Sequence, residues 1–161
     1  SSVTLLEERK QAMLFSQPYF EAPQHIVVRR EDHGIQQLEE FAGQAVGAQI
    51  ATTGSRLIAQ TPGVQVRTYD DLGLAVEDLA TGRLAAIVAD MAIVEYFVLG
   101  NERYADELAV TGPPYATEEY AFAIRRDHPE LRDRIDAALT DVRKDGTLMR
   151  IREFWFEHVF E

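Results

Sequence analysis

The 161-residue sequence predicts an α/β fold built on a largely parallel sheet. Three observations carry the prediction. Short apolar runs alternate with stretches of helical spacing from residue 25 to residue 110. Most changes of period are marked by Gly, Pro or a capping side chain. One run, Leu84 to Ala89, is apolar at every position, as in a strand covered on both faces.

The elements follow in order. Residues 1–15 carry a short helical turn with Glu7, Glu8 and Arg9, for which Ser2 or Thr4 is the expected cap. FSQPYFEAP (15–23), with two prolines, reads as an ordered connector. HIVVRR (25–30) is a strand, and GIQQLEEFAG (34–43) a helix with Ile35, Leu38 and Phe41 on one face and Gly43 as its stop. QAVGAQI (44–50) is a strand that passes through Thr52, Thr53, Gly54 and Ser55 into a helix. GVQVRTY (63–69) is a strand, and LGLAVEDLATG (72–82) an amphipathic helix with Leu72, Ala75, Val76 and Leu79 on its apolar face. The strand 84–89 ends at Asp90, after which Ile93, Val94, Phe97 and Val98 recur at helical spacing. ELAVTG (107–112) and YAFAIRR (120–126) are strands either side of a second proline-bearing connector, 113–119. Residues 128–146 form a helix with Pro129 at its first position and a stripe of Leu131, Ile135, Ala138, Leu139 and Val142. Thr147 opens a last helix expected to turn Leu148, Ile151, Trp155 and Val159 inward, with Phe154, Phe156 and Phe160 read as core aromatics.

Composition narrows the function. A net charge of −11 argues against a nucleic-acid backbone or an anionic membrane as partner. The absence of cysteine rules out disulfides and thiolate metal sites. His25, His33, His128 and His158 are scattered without ligand spacing, so no metal and no cofactor is expected. No apolar run is long enough to span a bilayer, and the chain opens on SSVTLL without a signal peptide.

Three places carry candidate chemistry. Asp90 stands where a buried strand hands over to a helix, the position at which open α/β sheets bind ligands; equally, it could cap that helix. The turn Ala51–Ser55 offers free N–H groups and the positive end of a helix dipole, suited to an anion, or is capped locally. Arg9 offers a planar fork for a carboxylate, or pairs on the surface with Glu7 or Glu8. Glu95 falls on another helix face from Asp90, and Glu118 and Glu119 read as solvated, so no catalytic residue is expected.

Four stretches resemble the family 3 extracellular solute-binding proteins, the amino-acid receptors of ABC importers. SSVTLLEERKQAMLFSQPY (1–19) is similar to that family's SxSxTxxR…FSxPY pattern. GQAVGAQIATTGS (43–55) is similar to its GKxVGVQxGTTxE, GRLAAIVAD (82–90) to GRxDAVVAD, and DGTLMRIREFWF (145–156) to DGTxxKIxxKWF. The resemblance implies a type II periplasmic-binding fold, with one complete Rossmann-like lobe (24–115) and an incomplete one (1–18 and 121–161). Residues 19–23 and 116–120 would be the hinge strands. It also implies site roles. Arg9 would grip the α-carboxylate of an amino acid, helped by Thr4, the Thr53 N–H and Thr52. Asp90 would pair with the α-ammonium, and Ser2 would assist. The partners would be the amino acid and an ABC permease, and the location periplasmic or extracellular. Ala51, in place of the family's glycine, implies a tighter approach to Thr52.

The family's first β-α-β-α-β segment has no counterpart here. Leu14, Phe15, Ala121, Phe122, Ile124 and the last two helices would normally pack against it. The chain is therefore expected to be part of a longer protein, or to be completed by a second chain or by exchange between protomers. The alternatives to a receptor are a dehydratase of the cyclohexadienyl or arogenate type on the same fold, or a sensor or accessory interaction domain.

Overall fold

In the computed structural model, residues 3–156 are described, and the chain divides into two units. A central unit spans Pro23–Ala116; a terminal unit joins Ser1–Ala22 to Thr117–Glu161. The backbone passes between them twice, within strands β3 (Phe20–Arg29) and β7 (Leu108–Ala121).

The central unit is a sheet between two helical layers. Strands β4 (Ala45–Gln49), β5 (Gln65–Tyr69) and β6 (Ala86–Asp90) run parallel, in the order β6-β4-β5. β3 lies antiparallel to β6, in register from Gln24↔Asp90 to Val28↔Ala86. Strand alternation sorts β3 between two cores. Ile26 and Val28 pack with Leu38, Phe41, Val46, Ala48 and Ile58, the last on helix α2 (Thr53–Gln60). Val27 packs on the other face with Leu72, Ala75, Val76 and Leu79 of helix α3 (Leu72–Ala80). Residues Ala86–Ala89 of β6 are buried on both faces, which is why this strand shows no alternation in sequence. Fully burying side chains the size of Ile87 or Leu79 stabilises by about 2 kcal/mol each before entropy is counted.

Three expectations change here. The helix expected over 34–43 is a single 3₁₀ turn, Leu38–Phe41. The Thr111 hydroxyl of β7 lies 2.8 and 2.7 Å from the carbonyl oxygens of His33 and Ile35 and shares its one proton between them, tying this segment to β7. Glu40 closes the turn by accepting from the N–H groups of Gln36 and Gln37 at 3.0 and 2.9 Å. Both proline-bearing connectors are largely strand: β3 runs through Pro23 and β7 through Pro113 and Pro114. Proline removes one N–H from a ladder but leaves the backbone extended, so it can lie in a strand where that donor is not needed. The helix after Asp90 is short, α4 (Met91–Val94), and continues as a π turn, Glu95–Leu99.

In the terminal unit, β1 (Val3–Thr4) pairs antiparallel with the end of β7, and β2 (Leu14–Phe15) with β8 (Ala123–Ile124). Helix α1 (Glu7–Lys10) has Leu6 at its N-cap and no side-chain cap bond, so neither expected cap is used. Thr4 lies in β1, and Ser2 lies outside the described residues. Helices α5 (Pro129–Lys144) and α6 (Thr147–Phe156) follow. Gln17 ties the β2 loop to α5: its N–H donates to Asp136 Oδ1 at 2.7 Å and its Nε2 to the Asp136 carbonyl at 2.6 Å.

The expected inward stripe of α6 is not formed. Ile151 is 50% exposed, Phe154 76% and Trp155 67%. On α5, Leu131 is exposed and Ala138 faces solvent, while Leu139 is buried. The side chain of Phe156, with Val159 and Phe160, lies outside the description. By contrast Ala121 and Ile124 are buried, and Phe122 stacks on Tyr19 with centroids 4.8 Å apart. The uncovered apolar surface of this unit is therefore on α5 and α6, not on the β2–β8 pair. No helix among the described residues is long and apolar enough to cross a membrane.

Candidate functional site

Each unit carries a cluster of the sequence-predicted residues. In the central unit the parallel strands β4 and β6 end side by side, so the turns that follow them are neighbours. Thr52 is the N-cap of α2: its Oγ1 accepts from the Ser55 N–H at 3.2 Å and donates to the Gln49 carbonyl at 2.7 Å. Thr53 is the first residue of the helix, where an N–H has no intrahelical acceptor. Asp90 is the N-cap residue of α4 by backbone geometry, yet makes no side-chain cap bond. Its Oδ1 instead accepts from Nε2 of Gln24. Thr52, Asp90, Gln24, Gln49, Leu72 and Ile93 all border one depression at the ends of these strands. A carboxylate and the positive end of a helix thus share one small surface, which suits a solute carrying both signs of charge.

Two small residues shape this turn for different reasons. A Cβ on Gly54 would come within 2.8 Å of the Val88 carbonyl oxygen, so glycine lets α2 lie directly against β6. Ala51 adopts φ 60°, the left-handed region. Its side chain is exposed, so what a glycine would relieve at this position is backbone strain. The expected tighter approach to Thr52 is not its cost.

In the terminal unit, Arg9 Nη1 donates to the Thr4 carbonyl at 3.2 Å. Glu7 pairs with Lys10, leaving the Arg9 fork held by backbone. The Thr4 hydroxyl donates to Glu118 Oε2 at 2.7 Å. Glu118 is only 8% exposed, and its Oε1 is buried without a hydrogen-bond partner among the described residues. The expectation of a solvated Glu118 is overturned: β7 carries this residue into the unit, where Thr4 lies on the paired strand. Since the Thr4 hydroxyl spends its proton on Glu118, it presents only lone pairs to anything else.

The residues that sequence reasoning missed are buried polar ones. Gln24 is 2% exposed; Glu95, noted above only for its helix face, is 9% exposed in the π turn, and its Oε2 has no hydrogen-bond partner among the described residues. Its place with His25 at the polar head of the run QHIVV is the only signal the sequence offers for Gln24. Burial holds the His25 imidazole below the usual histidine range. Among the described residues no group of His, Asp and Glu could hold a metal ion.

Known proteins resemble this chain along most of its length. Residues 1–158 match the bacterial extracellular solute-binding proteins, family 3. The chain is 33% identical over 159 residues to the L-cystine-binding protein TcyJ of Escherichia coli strain K12, covering 97% of itself and 58% of that protein. Its fold superposes with a TM-score of 0.87 on an ancestral arginine-binding protein bound to arginine, at 36% identity over 96% of this chain and 69% of that one. It superposes at 0.86 on AncCDT-1, an ancestral amino acid-binding protein and precursor of cyclohexadienyl dehydratase, at 29% identity over 97% of this chain and 67% of that one. The chain spans between half and two thirds of the length of the curated relatives it matches. It is a mixed α/β protein of the periplasmic-binding type, and it belongs to the bacterial extracellular solute-binding proteins of family 3.

Proposed function

We propose that this chain is the ligand-gripping part of a receptor that captures an amino acid outside the cytoplasm and delivers it to an ABC permease. The observation that carries the reading is the depression shared by Asp90 and the start of α2. An α-amino acid has one anionic and one cationic end a few bonds apart. Asp90 takes the ammonium, and the Thr53 N–H, with Thr52 beside it, takes the carboxylate. Arg9 supplies the second, bidentate hold on the carboxylate, and Thr4 and Ser2 are the residues assigned to assist. The backbone crossings near 19–23 and 116–120 act as the hinge, and ligand binding favours the closed state. A further segment, from the same protein or a partner, covers Met149, Ile151, Phe154 and Trp155.

The reading is tested by a thermal-shift screen of the twenty amino acids and L-cystine, followed by calorimetry. A ligand at a hundred times its Kd raises stability by about 2.7 kcal/mol. Asp90→Ala and Arg9→Ala each abolish the shift; unchanged affinity in both variants would refute the assignment. The likeness to AncCDT-1 keeps one enzymatic reading in view, and conversion of prephenate or arogenate by the wild type, followed by absorbance, would establish it.

A further inference from the structure

Gln24 is the most completely buried polar side chain of the central unit's site, and nothing in the proposed binding roles uses it. It sits on β3 directly opposite Asp90 in the antiparallel register. Its Nε2 donates to Asp90 Oδ1. A carboxylate can be met only by the NH2 end of the amide, so the carbonyl end is turned away from Asp90. That carbonyl lies against the first turn of α2: Oε1 is 3.3 Å from where a Gly54 Cβ would be. It has no hydrogen-bond partner among the described residues. An orphaned buried acceptor is costly, and the partial positive charge at the start of a helix is the environment that lessens the cost.

The alternative resting place for the Asp90 side chain is close by. Asp90 has the extended backbone of an N-cap residue, with φ −61° and ψ 138°, and α4 begins at the next position. Aspartate in that setting usually turns back onto the helix N–H groups. It does not do so here. The amide of Gln24 makes a contact with this carboxylate that competes with capping.

We propose that Gln24 is a positioning residue that holds the Asp90 carboxylate off the α4 cap and fixes its distance from the start of α2. One amide lies between the group that receives the ammonium, to which it is bonded, and the helix end that receives the carboxylate, against which it packs. It thereby sets the spacing at which the two ends of an amino acid are held. The inference rests on the reading that Asp90 binds the solute ammonium.

Gln24→Met keeps the length and burial of the side chain and removes the amide. The full chain is screened against the twenty amino acids and L-cystine, and the best binder is titrated by calorimetry from pH 7 down to pH 4, with melting curves at each pH. In Gln24→Met, affinity at pH 7 falls about tenfold or more while the fold is kept. The loss of binding on acidification also begins at higher pH than in wild type, because removing one hydrogen-bond donor from a carboxylate favours its protonated form. Unchanged affinity in a folded Gln24→Met overturns the inference. So does weaker binding with the wild-type acid limb, the result of a merely structural role. If Gln24→Met does not fold, Gln24→Glu serves instead: it replaces the donor by a second carboxylate, and an acid limb at or below the wild-type pH overturns the inference. A wild-type chain that binds none of the probes refutes the receptor reading itself; a binder unaffected by Asp90→Ala refutes the assignment on which the inference stands.

Discussion

Gly54→Ala is the sharpest probe of how the α2 turn is built. In an isolated helix this change helps, since alanine is favoured over glycine by about 0.5–1 kcal/mol. Here the new methyl group would lie 2.8 Å from the Val88 carbonyl oxygen and 3.2 Å from Val88 Cγ1. Val88 is in the middle of β6, held by β3 in register with Ile26, and its carbonyl cannot yield without moving the sheet. Forcing a methyl into a packed site typically costs about 1–3 kcal/mol. Overpacking outweighs propensity, and the net destabilisation is about 1–2 kcal/mol. For a chain of this length that lowers Tm by about 3–6 °C. Thermal melting by circular dichroism measures it, and amide exchange at Ile87 and Ala89 reports the same strand locally. A melting temperature equal to or above wild type would show that α2 does not lie against β6 as described.

Ala51→Gly runs the other way. Alanine in the left-handed region costs about 1–2 kcal/mol, and the extra freedom of an unfolded glycine returns about 0.4–1 kcal/mol, so the variant gains up to about 1.6 kcal/mol in a urea titration. Thr4→Val strands both oxygens of the buried Glu118 and costs about 1–3 kcal/mol, whereas Thr4→Ser keeps the donor and most of the stability in the same titration. The acid limb of stability has a specific source on α3. Glu77 is held below its usual range first by the Tyr104 hydroxyl, and Asp78 first by the Tyr69 hydroxyl, with Arg103 and Arg83 beside them. A carboxylate depressed in the folded state contributes above its unfolded pKa and loses that contribution as pH falls through the folded one. Stability therefore declines below about pH 4.5, and Tyr69→Phe with Tyr104→Phe makes the urea midpoint less sensitive to pH between 5 and 3.

Local chemistry was legible in the sequence where one face or one turn decides the structure. The apolar run of β6, the Leu72–Leu79 stripe of α3 and the Thr52 cap of α2 needed only period and propensity, and the structure has each of them. Leu38 and Phe41 are buried, yet the helix that their spacing predicts is a 3₁₀ turn, where the Thr111 hydroxyl competes for the carbonyls of His33 and Ile35. That competition arises 76 to 78 residues away in the chain and leaves no mark on the local pattern.

The chain by itself determined the α/β class and the residues able to hold opposite charges, because periodicity, capping and charge are properties of neighbours in sequence. Tertiary structure decided which of those residues do something else first. Only strand pairing set Gln24 against Asp90, whose carboxylate accepts from that amide and does not cap its own helix; only β1 beside β7 gave Glu118 to Thr4. Burial and long-range hydrogen bonding act between residues distant in the chain, so a polar side chain shows its role only when the fold has removed the water it would otherwise prefer.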